Sequence, residues 1–204
     1  MFKIFFGGSF DPVHVGHLIV ARDVFEDLKV EKIIFVPAFQ SPLKEPHRAT
    51  PKQRLVMLHM ATKGEGCFDV SDIEIRRGGI SYTVDTAQEL LSHLGERPTF
   101  LVGADSILTL HMWKDPQRLT QIARFVIADR NKKAQEVKKY FKLNFPSLRE
   151  ERDFFILETR NIDVSSTEIR QRLKEGKSIK WLVPEDVQEY ILEKGIYIRE
   201  PPPA

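Results

Sequence analysis

Gly7-Gly8-Ser9-Phe10-Asp11-Pro12-Val13-His14-Val15-Gly16-His17 is the stretch whose reading decides the fold. Ahead of it runs Phe2-Lys3-Ile4-Phe5-Phe6, a short apolar segment that reads as a buried strand. Behind it, Leu18, Ala21, Phe25 and Leu28 recur at helical spacing. The glycines and both histidines therefore fall on a strand-to-helix turn. In an open α/β sheet, ligands bind beyond the carboxyl ends of the strands, where such turns lie. Gly7 and Gly8 leave the main chain open to a phosphate or ribose. The helix start adds free N–H groups and the positive end of a dipole. His14 and His17 add ring N–H donors, or positive charge when protonated. Plainer readings exist: a tight glycine turn, or half of a metal site. The spacing fits no common zinc pattern and no Cys or Glu stands close by, so phosphate chemistry is preferred and no metal site is assigned.

Working outward, Lys32-Ile33-Ile34-Phe35-Val36 reads as a second buried strand, ended by Pro37. Strand, helix and strand in this length make a βαβ unit, so the sheet is expected to be parallel with right-handed crossovers. Further strands are expected at Phe68 to Ile75, Thr99 to Gly103, Arg124 to Ala128 and Phe154 to Leu157, the last taken as central. Thr50-Pro51-Lys52-Gln53 opens a helix with a capping box and Pro at its first position. Another helix runs to Leu94 from the polar start Ser81-Tyr82-Thr83-Val84-Asp85-Thr86, and one opens at Pro184 and closes before Gly195. The expected fold is α/β: a Rossmann-like open parallel sheet with helices on both faces. Residues 1–200 read as a single domain and 201–204 as a disordered tail.

The 204 residues suffice for a sizeable core, and a composition of 42% hydrophobic and 29% charged residues is that of a globular protein. A net charge of +2 gives no polycation to argue for nucleic acid. The single Cys67 excludes an intramolecular disulfide and suits a reducing compartment. Met1 to Phe6 runs straight into glycines, so no signal peptide is expected, and no apolar run approaches a membrane span. These point to a cytoplasmic protein.

Other segments carry candidate site residues. The loop from Ala38 to Ala49 holds Lys44, His47 and Arg48 and is long and basic for a connector, although a solvated surface loop would read the same way. Gly103 and Asp105 end a strand at the sheet rim, where Asp105 either meets a ligand or caps the next helix. Trp113, next to His111, is either core or a flat surface for a ring. Five lysines from Lys132 to Lys142 read as a solvated helix face. In Ser165-Ser166-Thr167-Glu168-Ile169-Arg170, Ser165 and Glu168 make a capping box, while the other hydroxyls and Arg170 one turn on form an anion cradle.

GGSFDPVHVGH resembles the signature of the (T/H)xGH nucleotidyltransferase superfamily, and its HxGH form with GGSFDP is similar to the bacterial nicotinate mononucleotide adenylyltransferase family. Pantetheine-phosphate adenylyltransferases are less similar, since they usually carry Thr where this chain has His14. The GADS, SYTVDT and SSTEIR segments match further family motifs, whereas Ser41-Pro42-Leu43 replaces the common Pro-Pro-His. The resemblance implies a nucleotidyltransferase of NAD biosynthesis that moves AMP from ATP to nicotinate mononucleotide and releases pyrophosphate. It implies that His14 and His17 hold the α- and β-phosphates and that Ser166, Thr167 and Arg170 stabilise the leaving group. Gly7, Gly8, Ser9, Phe10, Gly103, Asp105 and Ser165 would contact ATP; Lys44, Tyr82, Thr83, His111 and Trp113 would meet the acceptor. Magnesium would travel on the ATP phosphates. A homo-oligomer is left open. The other readings kept are a sister transferase using pantetheine phosphate and a non-catalytic nucleotide-binding regulator.

Overall fold

The computed structural model describes residues 2–42 and 46–198, so Lys44 and the tail at 201–204 lie outside the described residues. The chain opens with β1 (Lys3–Gly8), α1 (Val15–Leu28), β2 (Lys32–Pro37), α2 (Pro51–Thr62), β3 (Phe68–Val70) and α3 (Ile73–Arg77). It continues through α4 (Thr83–Leu94), β4 (Thr99–Gly103), α5 (Ala104–Ile107), a 3₁₀ turn at Leu110–Met112 and α6 (Pro116–Ile122). The remainder is β5 (Arg124–Asp129), α7 (Ala134–Asn144), β6 (Phe154–Glu158), α8 (Ser166–Lys174) and α9 (Glu185–Glu193).

The six strands are all parallel and lie in the order β3-β2-β1-β4-β5-β6. The order reverses between β1 and β4, which makes their carboxyl ends the switch point where ligands bind in this architecture. Side chains alternate across the pleat. Ile4, Ile33, Phe35, Leu101 and Val126 pack under α1, α2, α8 and α9. Phe5, Val36, Phe100, Phe125 and Ile127 pack under α4, α6 and α7. Helices thus cover both faces, and the strands read as near-continuous apolar runs for that reason. No helix among the described residues is long and apolar enough to cross a membrane.

The expected helix starts are present, although at Ser165 and Glu168 only the Ser165 half of the expected capping box forms. Thr50 accepts from the Gln53 N–H at 3.2 Å and Gln53 accepts from the Thr50 N–H at 2.8 Å, with Pro51 at the first position of α2. Three expectations change. The strand expected through Ile75 stops at Val70. Ser71 makes a last bond to the Phe35 carbonyl at 2.9 Å, and Asp72 then receives both the N–H and the Nε of Arg76, at 2.8 and 2.9 Å, so the chain coils into α3. Phe154–Glu158 is an edge strand, not a central one. Two-sided helix cover makes an edge as apolar as a centre. Finally, α1 begins at Val15, which puts His14 at its N-cap and His17 inside its first turn.

Candidate active site

Two cavities open at the carboxyl ends of β1 and β4 and share a floor of Phe6, Gly7, Gly8, Ser9, Leu101, Val102 and Gly103. The larger, about 780 Å³, is lined by His14, His17, Arg48, Arg130, Arg160, the second motif and Arg170. The smaller, about 330 Å³, is lined by Ser81, Tyr82, Thr83, Trp113 and Lys114, with Glu74 in its wall. One compartment is cationic and the other aromatic. Together they have the size and the mixed character of a site for two joined ligands.

The two histidines are locked to one another. Their rings stack at 3.7 Å, and the His14 backbone N–H donates to His17 Nδ1 at 3.3 Å. A neutral His17 with an accepting Nδ1 must carry its proton on Nε2, so that nitrogen is a donor. Gly16 gives the His14 ring room, since a Cβ there would lie 3.1 Å from it and crowd it. Burial, and then the charge of Arg130, lower His14 to about 4, so the ring is neutral near pH 7. His14 Nδ1, Ser9 Oγ and Thr159 Oγ1 are buried without a hydrogen-bond partner among the described residues, and all three residues line the cationic compartment.

The two sequence motifs meet. Ser166 Oγ donates to the Pro12 carbonyl at 2.8 Å, and Arg170 Nη1 donates to the Asp11 carbonyl at 2.8 Å. Arg170 Nη2 also donates to Thr167 Oγ1 at 3.1 Å, while Ser165 caps α8 by accepting from the Glu168 N–H at 3.1 Å. Ser166 and Arg170 therefore brace the first motif as well as lining the cleft.

Several expected ligand contacts are placed differently. The Gly8 side-chain void is filled by the Phe10 ring, which a Cβ would meet at 2.9 Å, so it is Gly7 that faces open space. Phe10 is 1% exposed and sits edge-on to His17 at 5.0 Å, as core support beneath the histidine. The start of α1 offers fewer free N–H groups than its position suggests, because the Val15 N–H donates to the Leu182 carbonyl at 3.0 Å. Asp105 is exposed at the rim, paired with Lys133 at 2.7 Å and Arg130 at 3.6 Å, and the Lys133 hydrogen bond holds its carboxyl below the usual range. Asp105 lines neither compartment, and one of the lysines read as solvated is its ion-pair partner. His111 lines neither compartment; its Nδ1 and backbone N–H both meet the Tyr140 hydroxyl at 2.8 Å. Trp113 does line the aromatic compartment, half-buried, with its indole N–H donating to Thr109 Oγ1 at 3.3 Å. Gly103, Tyr82 and Thr83 lie in the same wall.

Sequence reasoning missed the supports. Arg54 is fully buried and donates to the carbonyls of Ser9 at 2.7 Å, Phe39 at 2.9 Å and Ala49 at 3.3 Å, tying the β1–α1 loop to both ends of the loop between β2 and α2. Asp11, 4% exposed, accepts from the Arg48 and Ala49 N–H groups at 2.8 and 3.0 Å and from the Tyr197 hydroxyl at 2.7 Å. Burial, and then the Asp11 charge, raise the Tyr197 hydroxyl far above its ordinary value, so it stays a donor. No local signal links Tyr197 to a residue 186 positions away. Arg130 and Arg160 carry no motif either.

The cytidylyltransferase-like family profile matches residues 5–172. A Hydrogenobaculum protein named a probable nicotinate-nucleotide adenylyltransferase is 44% identical over 96% of this chain and 97% of its own length. A protein of the same name from Aquifex aeolicus is 48% identical over 81% of this chain and 99% of its own. Among solved structures, the Plasmodium falciparum nicotinic acid mononucleotide adenylyltransferase complexed with NaAD superposes with a TM-score of 0.78. It is 19% identical and is matched over 97% of this chain and 98% of that one, a likeness of fold. With its six-stranded parallel sheet, its paired histidines and these relatives, the chain belongs to the cytidylyltransferase-like family, among the nicotinate-nucleotide adenylyltransferases.

Proposed function

We propose that the protein transfers the AMP of ATP to nicotinate mononucleotide, forming nicotinate adenine dinucleotide and pyrophosphate. The observation that carries this reading is the joined pair of compartments at the β1–β4 switch point, one cationic and one aromatic. A phosphate oxygen of the mononucleotide attacks the α-phosphorus of ATP in line; the bond to the β-phosphate bridging oxygen breaks, and pyrophosphate leaves with that electron pair. No protein nucleophile is needed. Catalysis is then positioning plus neutralisation of charge that builds on the phosphates. His17 donates from Nε2, His14 and Arg170 hold phosphate oxygens, and Arg48, Arg130 and Arg160 surround the polyphosphate with positive charge. The rotatable hydroxyl of Thr167 and the start of α8 receive the outer phosphates. Trp113 and Tyr82 offer flat surfaces to the pyridine ring.

The donor set around the phosphates consists of cations and hydroxyls, and no group of three or more His, Cys, Asp or Glu side chains gathers among the described residues. We propose that magnesium travels on the ATP phosphates, where it would neutralise charge. A reducing, cytoplasmic setting suits the one free cysteine.

The test uses ATP labelled at the α-phosphate, offered with nicotinate mononucleotide, its amide analogue and pantetheine phosphate in turn. Label appears in a pyridine dinucleotide, with one pyrophosphate released per turnover. Transfer only to pantetheine phosphate, or ATP binding without pyrophosphate release, overturns the assignment.

A further inference from the structure

We propose that Lys114 selects an acceptor bearing a ring carboxylate: its ammonium leaves Asp85 and pairs with that carboxylate at the mouth of the aromatic compartment. The inference rests on the acceptor named above and concerns how this chain tells the acid from the amide.

Lys114 follows Trp113 directly and lines the compartment with Tyr82 and Thr83. Among the described lining residues it is the one lysine or arginine. Its Nζ lies 2.9 and 3.1 Å from the two oxygens of Asp85 and 4.6 Å above the Tyr82 ring. The Tyr82 face provides a cation site that persists when the carboxylate partner changes.

The Asp85 pair is easy to exchange. Its side chains are 48% and 38% exposed, and exposed ion pairs contribute little. Asp85 also lies in the first turn of α4, where the dipole supports a carboxylate without help from a lysine. A ligand carboxylate entering beside Thr83 excludes water from one side of Lys114 and strengthens the new pair relative to the old.

Glu74 is the one acid among the described lining residues, and burial raises its carboxyl above the usual range. Glu74 is 7% exposed, and its carboxylate accepts from the Thr86 hydroxyl at 2.6 Å, with Arg77 4.0 Å away. Lys114 sets a cation beside the start of α4, so the ammonium and the helix dipole both favour an acceptor carboxylate. An amide carries no charge and gains little from one, while its NH₂ adds donors beside an ammonium that can only donate. Charge at Lys114 thus separates the two acceptors.

The experiment measures kcat/KM for nicotinate mononucleotide and for its amide in wild type, Lys114→Met, Lys114→Arg and Asp85→Asn. Lys114→Met lowers the acid-to-amide ratio about tenfold, and Lys114→Arg restores most of it. Asp85→Asn releases the lysine and removes a competing anion, so it raises the ratio about threefold. A ratio that stays fixed in both Lys114→Met and Asp85→Asn, or that falls in Asp85→Asn, overturns the role. A side chain that only packed would shift both acceptors alike. Wild type that transfers AMP to neither acceptor overturns the proposed function itself, and this inference with it. Wild type that transfers while the ratio resists substitution overturns Lys114 alone.

Discussion

ATP binding is expected to put a proton on His14. In the free protein burial, and then Arg130, hold this ring at about 4 against its ordinary 6.5. At pH 6 only about 1% of molecules carry the charge. A phosphate oxygen against the ring favours the charged form and drives the value back up. If it returns to about 6.5, the protonated ring binds ATP roughly 300-fold more tightly than the neutral one, about 3 kcal/mol. At pH 6 the complex then takes up about three-quarters of a proton, and affinity improves about threefold between pH 7 and pH 6. The sign is fixed, because a proton gained on binding strengthens binding as pH falls. Titration calorimetry of magnesium–ATP in two pH 6 buffers with different ionisation enthalpies counts the proton. His14→Asn is run in parallel, so that titration of ATP itself cancels. Wild type should take up about 0.7 proton more than the variant. Equal uptake by the two proteins would refute the reasoning, since His14 would then keep one protonation state throughout.

The same ring governs acid stability. Its folded value lies below its unfolded one, so the unfolded chain binds a proton that the folded chain refuses, and stability falls as pH drops from about 6.5 towards about 4. Melting curves of His14→Asn without ligand should be flatter across that window. His17→Ala should slow pyrophosphate release about 10²–10³-fold, the loss typical of one preorganised donor, while circular dichroism stays native; near wild-type turnover would remove it from the mechanism. Tyr197→Phe keeps the ring but deletes the hydrogen bond to Asp11, which should cost about 1–2 kcal/mol, or roughly 3–6 °C of melting temperature. Arg54→Met strips the donor from three carbonyls in the buried site and should cost at least about 3 kcal/mol in urea unfolding, with ATP affinity falling alongside. An unchanged midpoint would show that those carbonyls find other donors.

The sequence by itself determined the parallel class of the sheet and the two phosphate motifs, because these are local patterns, but not which strand lies at the edge. An apolar run followed by glycines and a 3.6-residue period can be read within a dozen residues, and so can the Thr50 and Ser165 caps. Where a pattern admitted two periods, as at Val70, Ile73 and Ile75, the short edge strand and the Asp72–Arg76 pair settled it in favour of a helix. What only the tertiary structure decided is which polar groups serve the ligand and which hold the loops. Ser166 and Arg170 look alike as phosphate ligands in sequence, yet both also donate to carbonyls of the first motif. Arg54, Asp11 and Tyr197 carry no motif, because their partners are backbone groups and a carboxyl brought close only when α2, the first loop and the carboxyl-terminal segment pack together. His14 shows the same division. Its place in the motif announces a phosphate ligand, but its neutrality follows from burial against Gly16 and the nearby charge of Arg130, which exist only in the folded chain.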